Sequence, residues 1–93
     1  MWKLDVVGNA NQRASFADME IKFTIKNLDR DHSSFLVEKF APAFGLEFIQ
    51  SAPSLLHKNQ IKFTLEGTPR NAQAFERHLK SEVAVLHGTY IEQ

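Results

Sequence analysis

The tetrapeptide Ile-Lys-Phe-Thr occurs twice in this chain of 93 residues, at positions 21–24 and again at positions 61–64. Each copy opens a segment in which apolar and polar residues alternate. The apolar positions are Ile21, Phe23 and Ile25 in the first segment, and Ile61, Phe63 and Leu65 in the second. Such alternation, in a stretch rich in β-branched and aromatic residues, is typical of a strand with one buried face. The repeat therefore predicts two similar strands, each packed against a core.

A helix-start signal and an apolar stripe follow each predicted strand. Asp29 is a natural N-cap before the first helix, and Thr68 with Pro69 has the same role before the second. The stripes are Leu36, Phe40 and Phe44 in the first helix, and Ala72, Phe75, Leu79 and Val83 in the second. Pro42 disfavours helix at the residue before it, so we expect the first helix to kink or end near there. A short strand is expected after each helix.

The order strand, helix, strand thus occurs twice in tandem, which predicts an α+β protein. We expect the ferredoxin-like βαββαβ sandwich, in which one antiparallel sheet carries both helices on one face. The first and third strands, which hold the repeat, would lie side by side and parallel at the centre. This domain would span residues 19–93. Residues 1–18 would add an N-terminal strand and loop, because Trp2, Leu4 and Val6 stand at alternate positions before a turn-forming segment.

Composition excludes several classes of function. The chain has no cysteine, so it has no disulfide, thiolate metal site or cysteine nucleophile. Eleven basic and eleven acidic residues cancel, whereas a nucleic-acid binder normally has a basic excess. No stretch of about 18 apolar residues is present, and the N-terminus lacks a signal-peptide pattern. We therefore expect a cytoplasmic protein without a membrane partner.

Metal sites and catalytic motifs are also missing from the sequence. The four histidines, which are His32, His57, His78 and His87, have no spacing that would place two ligands on one helix face. The chain contains no nucleophile elbow, dinucleotide fingerprint or phosphate-binding loop. We expect no metal, no cofactor and no enzymatic activity.

The polar segment at the start of the first predicted helix is the best candidate for a ligand site. It contains Asp29, Arg30, His32, Ser33 and Ser34. A helix N-terminus presents free N–H groups and the positive end of the helix dipole, so it binds anions, and Arg30 would strengthen such a site. The alternative is a capped surface helix whose arginine pairs with a neighbouring aspartate.

Two other functions are weaker hypotheses. The open face of the predicted sheet would carry Lys22, Lys26 and Lys62, which suits nucleic-acid binding. RNA-recognition motifs share this topology but stack bases on outward aromatic residues, and Thr24 stands at that position here. Residues 65–81 resemble the second half of acylphosphatases, yet the first half of the chain lacks their glycine-rich phosphate loop.

Residues 20–92 resemble, at a few positions, the ACT and NIL families of ferredoxin-like regulatory domains. The similar segments are LDRDHSSFLVEKFAPAFGLEFIQ and LEGTPRNAQAFERHLKSE. In ACT domains a turn of the type Asp-Arg-Pro-Gly-Leu opens the first helix and helps to hold a small effector, often an amino acid. Asp29 and Arg30 match the beginning of that turn, and Asp31 and His32 replace its Pro and Gly. The resemblance implies a sensing or assembly module.

The apolar residues left over by this fold suggest a dimer. Phe35 lies about 140° around the first helix from Phe40, so both cannot face the centre of the sheet. Trp2, Leu4 and Val6 have no counterpart in the repeated unit. We expect these four residues to contact a second copy. The leading hypothesis is a non-enzymatic ligand-sensing or protein-interaction module that works as a homodimer.

Overall fold

The computed structural model describes residues 18–92, which form an α+β unit of four strands and two helices. The elements in chain order are β1 (Met19–Lys26), α1 (Arg30–Ala43), β2 (Glu47–Pro53), β3 (Gln60–Gly67), α2 (Pro69–Val85) and β4 (Thr89–Glu92). This order confirms the predicted alternation of strands and helices. The predicted N-terminal strand with Trp2, Leu4 and Val6 lies outside the described residues.

The sheet has the order β2-β3-β1-β4, and every neighbouring pair is antiparallel. The expectation that the repeated segments lie side by side in the centre is confirmed. The expectation that they run parallel is wrong. Helix α1 returns the chain to the side from which β1 started, so β1 and β2 point the same way. Strand β3 follows β2 through a hairpin and inserts between them, so it is antiparallel to both.

The two copies of the repeat pair with each other residue by residue. Phe23 lies opposite Phe63, Lys22 opposite Thr64, and Thr24 opposite Lys62. The phenylalanine rings stack with their centroids 5.4 Å apart. An approximate twofold axis therefore passes between these rings. The four-residue identity records this local symmetry, because each copy supplies the same residue types to the same face.

The core fills the space between the sheet and the helices. Its fully buried large side chains are Phe23, Phe63, Phe75, Ile25, Leu65, Leu79, Val37 and Val83. The predicted stripe of α2 is therefore correct. In α1 the prediction was partly wrong, because Phe40 and Phe44 are only partly buried, whereas Val37 and Ala41 are fully buried. Phe40 lies at the margin between the helices, with its ring centroid 4.5 Å from that of His78.

Both helices end in the same hydrogen-bonded motif. At the end of α1, Leu46 N–H donates to the Ala41 carbonyl over 2.8 Å, and Gly45 N–H donates to the Pro42 carbonyl over 3.0 Å. This Schellman pattern places a residue with positive φ directly after the C-cap, and Gly45 has φ 76°. As predicted, α1 ends near Pro42. At the end of α2, the residue with positive φ is not a glycine.

His87 occupies the equivalent left-handed position after α2, with φ 65°. Gly88 N–H and His87 N–H donate to the carbonyls of Val83 and Ala84 over 2.8 and 3.0 Å, as in the first motif. A residue with a Cβ atom is disfavoured in this conformation, although histidine tolerates it better than most. The left-handed backbone conformation is therefore less favourable at His87 than at Gly45.

We expect His87→Gly to raise the free energy of unfolding by about 1 kcal/mol, because glycine removes this cost. Gly45→Ala is the matched opposite change and should lower it by about 1 kcal/mol or more. Its new Cβ would also lie 2.8 Å from Asn71 Nδ2. Urea denaturation of both variants measures the effects. A His87→Gly protein less stable than the parent would contradict this account of the cap.

Candidate functional site

The start of α1 and the β2–β3 hairpin meet at one end of the sheet. Asn27 turns the chain after β1 with φ 62°, and its N–H donates to the Asn59 carbonyl over 2.9 Å. Arg30 Nη1 donates to the Ser54 carbonyl over 3.4 Å. These two bonds attach the β1–α1 junction to both arms of the hairpin loop. Residues more than 20 positions apart in the chain therefore form one surface.

An open cleft of about 410 Å³ lies between these two segments. It is lined by Asp29, Arg30, Asp31, Ser34, Ser51, Pro53, Lys58, Asn59 and Ile61. Its volume is within the range of small-molecule sites, and most of its lining side chains are polar or charged. The cleft is therefore suited to a small polar ligand.

The cations of the cleft have no ion-pair partner within the described part of the chain. There, the salt bridges join Lys22 to Glu20, Lys80 to Glu76 and His78 to Glu82, and none includes Arg30 or Lys58. Within residues 18–92, Arg30 therefore forms no ion pair with a neighbouring aspartate, which was the alternative expected from the sequence. The Asp29 carboxylate instead caps α1 by accepting from His32 N–H over 3.2 Å.

The structure brings only some of the predicted site residues together. Asp29, Arg30 and Ser34 line the cleft, and His32 is exposed but does not line it. Ser33 is fully buried within the protein, and its Oγ has no hydrogen-bond partner among residues 18–92. Ser33 and Ser34 differ because α1 rotates about 100° per residue, which turns one inward and leaves the other at the edge.

Four polar residues of the cleft were not predicted as site residues, and these are Asp31 of α1 and Ser51, Lys58 and Asn59. The last three come from the β2–β3 hairpin, which is distant from α1 in sequence and lies beside it only in the folded structure. No local motif marks them. The one available signal was the tandem order of elements, because a hairpin between the two units must lie beside the first helix.

The open face of the sheet lacks a stacking platform in the strands that the structure describes. The aromatic residues of these strands are Phe23, Phe48, Phe63 and Tyr90, and their rings contact one another or the helix layer. The centre of the open face holds Thr24 and Thr64, which are buried, and Lys22 is beside Glu20 at 3.7 Å. Between residues 18 and 92, this face therefore offers no aromatic side chain on which a base could stack.

A second polar cluster joins α2 to β4. The Tyr90 hydroxyl donates to Glu76 Oε2 over 3.5 Å, and Lys80 Nζ lies 3.7 Å from the same oxygen. Burial raises the pKa of Glu76 above its usual range, and a hydrogen bond and the negative charge of Glu92 add to this, against the opposing charge of Lys80. Burial, followed by the charges of Glu76 and Glu92, also raises the pKa of Tyr90.

This cluster makes stability depend on pH. Because the folded-state pKa of Glu76 is raised, its protonated form favours the fold, and this contribution is lost as the pH rises through that pKa. We expect the urea midpoint of the parent, measured relative to that of Glu76→Gln, to fall as the pH rises above about 4.3, the usual pKa of a glutamate. Glu38→Gln, on the exposed side of α1, is the control and should keep the parent's profile. Identical profiles for Glu76→Gln and the parent would contradict the assignment.

Comparisons with known proteins do not identify the chain: no family model, curated protein or solved structure matches it. Within residues 18–92, no helix is long and apolar enough to cross a membrane. The same residues contain no group of three or more His, Asp and Glu side chains placed to hold a metal ion. Among the described residues, the polar and charged side chains that could bind a ligand line the cleft between α1 and the β2–β3 hairpin.

Proposed function

We propose that this chain is a small non-enzymatic regulatory module of ferredoxin-like fold, which acts in the cytoplasm by binding a small charged ligand or a protein partner. The sheet order β2-β3-β1-β4 and the two helices are compatible with that fold. The partial match of Asp29 and Arg30 to the effector-binding turn of ACT domains supports a sensing role.

The observation that carries this proposal is the cleft with two cations that lack ion-pair partners in the described chain. Arg30 and Lys58 come from different elements and line the same space, together with Asp29 and Asp31. Arg30 keeps most of its donors for a ligand, because one hydrogen bond to a backbone carbonyl uses only one of its five N–H groups.

These charges favour a small carboxylate, a phosphate or an amino acid as ligand. The guanidinium of Arg30 matches the geometry of a carboxylate or phosphate, and Lys58 adds a second positive charge. The first turn of α1 adds the positive end of its dipole. Asp29 and Asp31 balance these charges and would favour a ligand that also has an ammonium group, as an amino acid does.

The competing functions have less support. Nucleic-acid binding would need stacking side chains on the open face, and the aromatic residues of β1–β4 point to the other face. An acylphosphatase-like enzyme would need a phosphate loop, which the sequence between β1 and α1 does not supply.

We expect an amino acid, a dicarboxylate or inorganic phosphate to bind the cleft. Arg30→Ala should weaken that binding at least tenfold, because hydrogen bonds to charged groups contribute about 1.5–3 kcal/mol each. The measurement is calorimetric titration of amino acids, dicarboxylates and inorganic phosphate into the full chain. Arg70→Ala is the matched control, because Arg70 holds the equivalent place at the start of α2 and is exposed. Equal loss in both variants, or no binding by the parent, would contradict the proposed site.

The homodimer remains part of the proposal, with Phe35 at its interface. Phe35 is 59% exposed and lies about 160° around α1 from the buried Val37, so it faces away from the sheet. The sheet edges are less suitable, since β2 contains a bulge near Phe48 and ends at Pro53, and β4 has four residues.

Sedimentation velocity of the full chain at tens of micromolar should therefore give a dimer, and Phe35→Ser should shift it toward the monomer because it removes an apolar contact. Val85→Ser, another exposed apolar position on a helix, is the control. A parent protein that sediments as a monomer would contradict the dimer.

A further inference from the structure

Half of one sheet edge is uncovered within residues 18–92. Strand β4 pairs with β1 from Phe23 to Lys26, and no described strand pairs with Met19–Lys22 on that side. An uncovered edge presents N–H and C=O groups to which a further strand can bind. The burial of the side chains differs accordingly, because Ile21 is only partly buried, whereas Ile61 at the same position of the repeat is 3% exposed. This half of the edge can therefore accept one short strand.

A trough of about 270 Å³ lies beside the same half of the edge, on the helix side of the sheet. Met19 and Ile21 of β1 form one wall of it, and Pro69 and Ala72 of α2 form another. One glutamine and two glutamates complete the lining and supply hydrogen-bond acceptors. A cavity of about 150 Å³ can hold benzene, so this trough has room for a large aromatic ring. It is therefore suited to the inward side chains of a strand on the uncovered edge.

A row of three glutamates crosses the open face and ends at this edge. Glu20 lies opposite Glu66 of β3, and Glu66 lies opposite Glu47 of β2. Like charges directly opposite each other are destabilising, so a cation at the next position of the row is favoured. Within residues 18–92, the ion pair of this row is the one between Glu20 and Lys22, at 3.7 Å. The trough and the glutamate row together favour a strand in which a basic residue stands between two apolar residues.

The segment that precedes β1 has this pattern and begins next to the uncovered edge. Residues 1–17 lie outside the described part of the chain and join it at Asp18, directly before β1. Trp2, Lys3 and Leu4 supply a basic residue between two apolar residues. Seventeen residues are enough for the chain to turn back and run antiparallel to β1. A tethered segment also has a high effective concentration at an adjacent edge, which a separate partner lacks.

Charge and side-chain alternation select one antiparallel register for this segment. The register with Lys3 opposite Glu20 extends the glutamate row with a cation and directs Trp2 and Leu4 to the trough. A shift by two residues in one direction puts Asp5 opposite Glu20, so two like charges would face each other. The same shift in the other direction takes Leu4 off the edge. A shift by one residue would turn polar side chains toward the trough.

We infer that residues 1–4 pair antiparallel with Met19–Lys22 of the same chain. In this arrangement Trp2 and Leu4 occupy the trough. The acceptors of the trough suit an indole ring, because a buried tryptophan usually finds a partner for its N–H. The inference assigns both apolar residues to their own chain, whereas the sequence suggested a second copy as their partner. It goes beyond the ligand cleft and does not depend on it.

Disulfide trapping in the full chain tests this pairing, because the chain has no cysteine of its own. Lys3→Cys combined with Glu20→Cys should oxidise to an intramolecular disulfide, since directly opposite residues have the Cα separation that a disulfide needs. Lys3→Cys combined with Glu47→Cys, at the far end of the glutamate row, is the matched control. Those two positions would lie three strand spacings apart, about 14 Å, and should stay reduced. Non-reducing electrophoresis and mass spectrometry identify the products.

Fluorescence gives a second readout, because Trp2 is the one tryptophan of the chain. The emission of the parent should lie at shorter wavelength in buffer than in urea, since the trough removes the ring from water. Glu20→Lys should shift this emission to longer wavelength, and the further change Lys3→Glu should restore it, because opposite charges again face each other. Glu38→Lys, an exposed change on α1, is the control and should leave the emission as in the parent.

The two measurements also identify other partners of the segment. An intermolecular disulfide between the first pair of cysteines would show that the segment binds a second copy, and it would overturn the inference. Equal disulfide yields from the two cysteine pairs would overturn it as well. So would a parent emission that is the same in buffer and urea, or a double charge reversal that fails to restore the emission.

Discussion

The stacked pair of Phe23 and Phe63 is the contact on which the rest of this structure depends. It fixes the register of β1 against β3, and a slip by one residue would turn the apolar face of a strand toward solvent. Phe75 of α2 and Tyr90 of β4 then pack on Phe23, with ring centroids 5.9 and 5.0 Å away. Phe48 of the other edge strand packs on Phe63 at 6.2 Å. One cross-strand pair thus sets the position of both edges and the helix layer.

The cleft is a consequence of that register. Since β3 lies beside β1, the hairpin that precedes β3 must rise next to the residues that follow β1. The hydrogen bond from Asn27 N–H to the Asn59 carbonyl joins these two segments directly. Arg30 then connects the cleft to the hairpin tip, because it lines the first and bonds the Ser54 carbonyl of the second. The cleft and the hairpin tip therefore lie at the same end of the sheet.

The approximate symmetry of the two units does not extend to the cleft or to the helix ends. Arg30 and Arg70 occupy equivalent places, yet within residues 18–92 Arg30 is the one of the two that lies opposite a hairpin and lines a cleft. The helix ends differ too, since Gly45 takes the left-handed position in one unit and His87 in the other. The repeated strands form the core of the fold, and the unrepeated hairpin loop provides the cleft wall.

The sequence by itself determined the element order, the apolar faces of β1 and β3, both N-caps and the buried stripe of α2. These features follow from local periodicity and capping chemistry, which act within a few residues. It also marked Asp29, Arg30 and Ser34. Only the tertiary structure decided that the central strands are antiparallel, that Val37 and Ala41 rather than Phe40 lie deepest under α1, and that Lys58 lines the same cleft as Arg30. Each of these depends on which distant segments pack together, and sheet pairing brings them together without any local signal in the chain.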